Sequence, residues 1–342
     1  LTLGNGRFAM TMDVTGLQTW PDAYQNGIPL GTLSEWGWHN FPPTRSYAIS
    51  ETLEDLHSHG RSVPYARQWP TGTVKAEVAD YIRQNPHRIH LIQVGWVLFD
   101  QDGTGRRFGP DDVTVIDQTL DLWRGELLSK FTLDGESVEV VSVVSQDRDL
   151  LGVSVRSDLI VSGRLGLELR FPYPTDLFYD YGTKYNEQEA QRMTVIDSTT
   201  RDLKVTRALD ETSYSLHLSS EQQLGSVRRT AKGFVISANS ETNKWTWQLA
   251  LDPEDAEVVG NFDQLHREVA DDYAQFWQSG GIIDFSAVED PRAQVLERRM
   301  ILSRYLTHVN CGGASPPQET GLTYNSWYGR PHMEMAWWHG VH

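Results

Sequence analysis

The sequence predicts a β-rich fold, a large antiparallel sandwich followed by a helical region, and three observations predict it. Between Leu3 and Leu251 the apolar residues alternate or fall in short runs bounded by Gly, Asp, Asn and Pro, the pattern of half-buried strands. No long amphipathic helix is read among them, so these strands are expected to close on one another as sheets. After Asp252-Pro253 the period lengthens to that of helices.

The clearest strand pair is KFTLDGESVEVVSVVSQ, where Phe131 and Leu133 precede Asp134-Gly135, and Val138, Val140 and Val141 follow. Asp-Gly between alternating segments is the signature of a tight hairpin turn. The stretches LLGVSVRSDLIV, SYSLHLSS, GFVISANS and KWTWQLAL continue the strand reading. In NFDQLHREVADDYAQFWQSG, the residues Leu265, Val269, Tyr273 and either Phe276 or Trp277 recur at helical spacing, with Gly280-Gly281 as a stop. DPRAQVLERRMILSRYLTHVN predicts a second helix, with Asp290 as N-cap and Pro291 at its first position. Its apolar stripe runs through Val295, Leu296, Ile301, Leu302, Tyr305 and Leu306. HMEMAWWHGVH reads as the opening of a third helix. Two or three helices are too few to close a core of their own, so their stripes are expected to face the sandwich or helices beyond His342, and the chain is read as truncated.

Composition excludes several function classes. A net charge of −16 repels phosphate backbones, and no dense Lys/Arg cluster occurs, so nucleic acid and anionic membrane are not expected partners. The single cysteine, Cys311, rules out an internal disulfide. No run approaches the roughly 18 to 20 apolar residues of a spanning helix. The expectation is therefore a soluble protein, secreted or periplasmic ahead of cytoplasmic, with a processed or incomplete N-terminus.

Most short motifs reduce to plain structure. GNGRFA fits G-x-G-x-x-A, but alternating MTMDVTGLQTW follows it where a dinucleotide fingerprint needs a helix, so a glycine-requiring turn is the reading. His57 and His59 lie on one face of an extended segment, with no third ligand at matching spacing, and read as surface residues. No metal or cofactor is called for.

Two aromatic stretches point elsewhere. In GIPLGTLSEWGWHNFP, Trp36 and Trp38 share a face if the chain is extended, beside Glu35 and His39. In PPQETGLTYNSWYGRPHMEMAWWHGVH, Trp327, Tyr328, Trp337 and Trp338 supply ring faces. There Gln318, Glu319, Asn325, Arg330, His332 and Glu334 supply directional hydrogen bonds, and Glu334 and Trp338 lie one helical turn apart. A pyranose offers C–H faces to aromatic rings and hydroxyls to fixed polar groups, so both stretches suit a sugar site. Indoles of an ordinary core remain the alternative at each.

LGNGRFAMTMDVTGLQTW, LDLWRGELLSKFTLDG, DDYAQFWQSGGIIDF and ERRMILSRYLTHV, taken in order, resemble the layout of glycoside hydrolase family 65 and its relatives, with the family 95 fucosidases similar in general architecture. The resemblance implies a β-rich N-terminal super-sandwich over 1–258, a helical linker over 259–288 and the first helices of an (α/α)6 catalytic barrel over 289–342. It covers nearly the whole chain as a layout. Its F-W-D-x-E segment, which holds the sugar, corresponds by position to Met333-Glu334-Met335, where Met replaces Trp.

The resemblance implies a carbohydrate-active enzyme that hydrolyses a glycosidic bond in the inverting manner, acting on an oligosaccharide or glycoside. The candidate catalytic carboxylates are Glu334 and, on a loop stiffened by Pro316-Pro317, Glu319, with the main acid and base expected beyond residue 342. Candidate substrate-binding residues are Trp36, Trp38, His39, Trp327, Tyr328, Arg330, His332, Trp337 and Trp338. A disaccharide phosphorylase of the same fold, a non-catalytic carbohydrate binder and an interaction scaffold are the other readings, and a homodimer is expected by analogy with the family.

Overall fold

The computed structural model describes residues 1–100, 103–186, 192–316 and 318–341. Two sheets form the sandwich. The larger has eight strands in the spatial order Val113–Asp121, Glu126–Leu133, Glu136–Val144, Leu150–Arg156, Lys244–Asp252, Thr212–Ser220, Asp202–Leu209 and Met193–Ser198. The smaller has five, in the order Gln223–Thr230, Gly233–Asn239, Leu165–Arg170, Gln93–Phe99 and Gly105–Arg106. A three-stranded sheet of Thr2–Gly4, Phe8–Thr11 and Thr32–Ser34 completes the main β structure.

The Asp134-Gly135 hairpin forms as the sequence suggests, with Leu133 paired to Glu136 and both turn residues at positive φ, 53° and 82°. Its second strand divides its valines between two environments. Val138 and Val140 enter the sandwich core, while Val141 and Val143 turn to the opposite face. The eight-stranded sheet is therefore buried on both sides: Phe131, Val153, Trp245 and Trp247 meet Trp96, Leu167 and Ile236 within the sandwich. On the other face, Val143, Leu150 and Ala250 meet helices.

Five helices are described: α1 (Val74–Gln84), α2 (Asp158–Val161), α3 (Phe262–Gln278), α4 (Arg292–Cys311) and α5 (Met333–Gly340). Helix α3 is capped by Asn261, whose side chain accepts from Gln264 N at 2.9 Å, and it buries Leu265, Val269, Tyr273 and Trp277. Gly152 lets it lie close to the sheet, since a Cβ there would sit 2.7 Å from Leu265 Cδ2.

Several expectations change. Helix α1 is a long helix within the strand-rich region; Val74, Val78, Tyr81 and Ile82 recur at helical spacing in VKAEVADYIRQ, although only Ala76 and Val78 are buried. The SDLIV end of a presumed strand is instead α2, started by Ser157, whose side chain accepts from Leu159 N. Helix α4 begins at Arg292, after Pro291, and the Asp290 carboxylate accepts the Arg292 N–H at 2.9 Å. Of its expected stripe only Tyr305 is fully buried; Val295, Leu296 and Leu306 are exposed, because α4 packs chiefly through Tyr305 and Val309, with Tyr305 on Tyr273 of α3 and bonded to Thr2 O.

The Gly-rich N-terminal motif is a turn between two strands, as expected. Gly6 takes φ 85°, and a Cβ on it would lie 2.5 Å from Gly312 Cα, just after α4. Asn5 is the buried clasp of this turn: its amide donates to Ser145 O (2.9 Å) and Arg148 O (3.2 Å), and its oxygen accepts from Arg7 N (2.9 Å) and Phe8 N (2.8 Å).

Replacing Asn5 with Ala strands these buried backbone groups, so Asn5→Ala should lower the unfolding free energy by about 2–4 kcal/mol in urea titration. Arg7→Ala, which removes only an exposed ion pair to Glu35, should change it by less than about 1 kcal/mol. Equal effects would show that Asn5 is not the clasp.

Candidate functional site

The first aromatic stretch is not extended. Gly37 N donates to Ser34 O, closing a turn that sends Trp36 and Trp38 in different directions and replaces the expectation of a shared face. Trp36 donates its indole N–H to Asp149 Oδ2 at 2.7 Å and tilts against Tyr214 at 5.8 Å between centroids. Trp38 has the Arg88 guanidinium over its ring at 4.2 Å, a place a ligand ring would otherwise take. His39 is 1% exposed, with Nδ1 3.1 Å from Thr212 Oγ1 and Nε2 3.3 Å from Asp210 Oδ2. These three residues are built into the sandwich.

The C-terminal stretch folds back onto it. Strand residues Asn325–Ser326 pair with Tyr179–Asp180, and Gln318 bridges to Pro331. Asn325 donates to Arg88 O at 2.8 Å, and Gln318 donates to Leu322 O at 3.0 Å. Pro317 of the expected stiff loop lies outside the described residues, as does His342 at the end of the third predicted helix. Arg330 donates to Pro86 O at 3.1 Å, Ile82 O at 2.7 Å and Asn85 O, so it caps the C-terminal end of α1.

Trp327, Tyr328 and Gly329 all adopt left-handed backbone conformations, at φ 52°, 59° and 68°. Only Gly does so without cost. The turn separates its two aromatics: Tyr328 is buried, whereas Trp327 is 43% exposed, with its ring 4.4 Å from Phe178 and 5.4 Å from His332. The His332 Nδ1 is buried with no hydrogen-bond partner among the described residues.

Helix α5 carries Glu334, Trp337 and Trp338 on the surface, the two indoles 63% and 66% exposed. Trp338 lines an apolar groove of about 670 Å³ with Trp277, Ile282, Ile283, Leu296 and Met300. Glu319 is exposed, and its carbonyl lies 3.2 Å from His339 Nε2. The structure thus gathers Trp327 with His332 and Trp338 with α3 and α4, and Trp38 adjoins the Trp327 turn through Arg88, which lies over its ring and donates to Gly329 O at 3.4 Å. Among the described residues no group of three His, Cys, Asp or Glu side chains is arranged to hold a metal; His57 and His59 are exposed on a hairpin.

Residues that the sequence reading passed over join the Trp327 turn. Phe178, Tyr179 and Tyr181 come from DLFYDYGTKYNE, which has the same aromatic-rich, Gly-bounded character as the two stretches singled out. Tyr179 lies 6.3 Å from Tyr324, and Tyr181 lies 6.5 Å from Tyr324, ring to ring. Asp180 holds their loop, its two oxygens accepting from Thr175 N (3.2 Å) and Gly182 N (2.9 Å).

Electrostatics single out the crevice where Trp36 is anchored, about 500 Å³ and lined by Arg7, Glu35, Asp149, Asp252 and Glu257 among others. Burial raises the Asp149 carboxyl to about 6, against the hydrogen bond from Trp36 and the charge of Arg7. Burial opposes ionisation of Glu35 too, but the Ala314 N–H and Arg7 outweigh it and hold its carboxyl below the usual range. Burial and the neighbouring His39 push His87 down to about 4.

These shifts act in opposite directions on stability. Asp149 binds its proton more tightly when folded, so its contribution is full below pH 3.8 and is lost as the pH rises through about 6. His87 is held neutral, so its contribution is present above pH 6.5 and is lost as the pH falls through about 4. Asp149→Asn keeps an acceptor for Trp36 without the buried charge. It should raise stability by about 1–2 kcal/mol at pH 7 and change it little near pH 4, as read from urea midpoints at the two pH values. Destabilisation at pH 7 would mean that the charged form is the one the fold needs.

No family model matches the sequence, and no curated protein matches it. Solved structures do match in shape. A protein assigned as a kojibiose phosphorylase, from the human microbiome, shares the fold over 96% of this chain, with a TM-score of 0.54 and 13% identity. This chain spans 42% of that protein's length. A bacterial glucoamylase complexed with acarbose matches over 66% of this chain and 35% of its own (TM-score 0.43, 8% identity). A family 92 α-mannosidase from Bacteroides thetaiotaomicron, complexed with mannoimidazole, matches over 65% and 31% (TM-score 0.29, 7% identity). The first match, the one with a TM-score above 0.5, shows a fold held in common with the N-terminal part of that protein, a β-rich sandwich leading into helices.

Proposed function

We propose that this chain is the N-terminal part of a carbohydrate-active enzyme that hydrolyses a glycosidic bond with inversion. In this reading 1–258 is the super-sandwich, 259–288 the linker and 289–342 the start of an (α/α)6 barrel. The observation that carries it is the fold likeness to a kojibiose phosphorylase over 96% of the chain. The substrate is an oligosaccharide or glycoside, and no cofactor is required.

Two features of the residues support the same reading. Glu334 is an exposed carboxylate on α5, and Trp327 presents a half-exposed indole beside the His332 ring. That pairing suits a pyranose, whose faces are apolar and whose rim is polar. Inverting hydrolysis needs an acid and a base roughly 6.5 to 9.5 Å apart with a water between them. We assign Glu334 to a sugar hydroxyl first and to proton transfer second, with Glu319 as the other local carboxylate. The principal acid and base are placed in barrel residues other than these 342. Trp337 and Trp338 are assigned to the barrel side. Phosphorolysis is the second reading, favoured by the activity assigned to the protein matched in shape; phosphate then replaces water.

The test is sugar release from aryl glycosides and α-linked disaccharides, with and without phosphate, by the protein that carries this chain. Release without phosphate is the expected result; release only with phosphate selects phosphorolysis. Glu334→Gln, isosteric but uncharged, should lower kcat/KM by at least about tenfold. Unchanged turnover in that variant removes Glu334 from the site.

A further inference from the structure

The aromatic residues beside the Trp327 turn form a continuous series. From Tyr181 the rings pass to Tyr324 at 6.5 Å, to Tyr179 at 6.3 Å, to Phe178 at 4.7 Å and to Trp327 at 4.4 Å. The contacts are edge-to-face, with interplanar angles of 63° to 80°, so the rings brace one another, each contact covering part of one ring's face only. Tyr179 and Trp327 are each 43% exposed, and the neighbouring Leu177 is 52% exposed.

Three facts separate this series from a core. The fully packed aromatics of the sandwich, such as Trp96, Trp245 and Trp247, are 0–1% exposed. Trp327 is held outward by two successive non-Gly residues in the left-handed region, a conformation that disfavours side chains and persists only where the surroundings enforce it. The loop bearing Tyr179 is pinned by a backbone pairing to Ser326 and by both oxygens of buried Asp180, so the rings are positioned before anything binds. The rings themselves carry no formal charge, and Asp180 spends its carboxylate on backbone N–H groups, which suits an uncharged ligand.

We propose that Tyr179, Tyr181, Tyr324 and Trp327 form a shelf on the sandwich that takes a neutral pyranose ring, a sugar unit of the substrate away from the bond that is cut. This rests on the reading of the chain as part of a carbohydrate-active enzyme. Trp327 and Tyr179 supply the stacking faces. The phenol hydroxyls meet the sugar's rim, and a neutral shelf favours unmodified sugars over uronic acids and sugar phosphates.

The experiment is saturation-transfer difference NMR and isothermal titration of the protein with maltose, trehalose and kojibiose, with glucose 6-phosphate as the charged comparison. Binding of at least one disaccharide is expected, with saturation strongest on the protons of one ring face. Tyr179→Ala and Trp327→Ala should each weaken it about tenfold, whereas Tyr179→Phe, which keeps the ring, should stay within about threefold. If Trp327→Ala loses its circular dichroism signature, Trp327→Phe with the Tyr179 pair decides instead. Disaccharide affinity unchanged in folded Tyr179→Ala and Trp327→Ala, or no disaccharide binding at all, overturns the shelf. Binding that depends on both rings without any glycoside turnover keeps the shelf and overturns only the hydrolytic reading. Glu334→Gln should lower kcat/KM at least about tenfold and leave shelf binding in place.

Discussion

The rest of the molecule depends on the double burial of the eight-stranded sheet. Strand Lys244–Asp252 pairs with Leu150–Arg156 on one side and Thr212–Ser220 on the other, so it sits in the middle of that sheet. Trp245, Trp247 and Leu249 fill the sandwich, while Ala250 turns to α3. Each fully buried side chain of this size withdraws enough apolar surface to contribute about 1.5–3 kcal/mol, and the alternation fixes which residue faces which layer. A slip of one residue would exchange Trp for Gln and Thr across both interfaces. The sheet thus seats α3, and α4 is held in turn by α3, with Tyr305 stacked on Tyr273 at 5.9 Å and His308 on Phe276 at 4.2 Å, while Leu296, Met300 and Leu306 stay exposed.

The candidate sugar-facing region inherits its position from the same frame at one remove. The segment with Trp327 is not part of the main sheets; it is held by a two-residue pairing to Tyr179–Asp180, by Asn325 on the Arg88 carbonyl and by Arg330 at the end of α1. Residues that resemble ligand-binding groups in the sequence thus divide their work. Arg330, Tyr328, Trp36, Trp38 and His39 hold the scaffold, and Trp327 with the tyrosines of 179–181 faces outward. The left-handed backbone at Trp327 and Tyr328 is what lets two adjacent aromatics take opposite roles.

Much of the fold was legible in the sequence, because period-two alternation and a Asp-Gly turn report directly on strands such as Glu126–Leu133 and Glu136–Val144. The helices α3 and α4 were legible for the same kind of reason. Helix α1 was legible as well, in the helical spacing of Val74, Val78, Tyr81 and Ile82, but it stands as one helix among strand-forming segments and reads with them. The site was legible only as composition: the sequence marks where aromatics concentrate, but not that Gly37 closes a turn between Trp36 and Trp38 or that Arg88 covers one of the rings. The partners of Trp327 come from residues about 150 positions earlier, a relation fixed by strand pairing and not by any local spacing.

The N-terminal turn has a consequence for how the chain is assembled. Tyr273 donates to Gly4 O, Tyr305 donates to Thr2 O, and Gly6 lies against Gly312, so the first six residues are tied to α3, α4 and the turn that follows α4. These contacts span about 270 to 310 positions of sequence. During synthesis these strands precede the helices that seat them by about 270 to 310 residues, so Leu3 and Phe8 stay without their full cover until that stretch has been made.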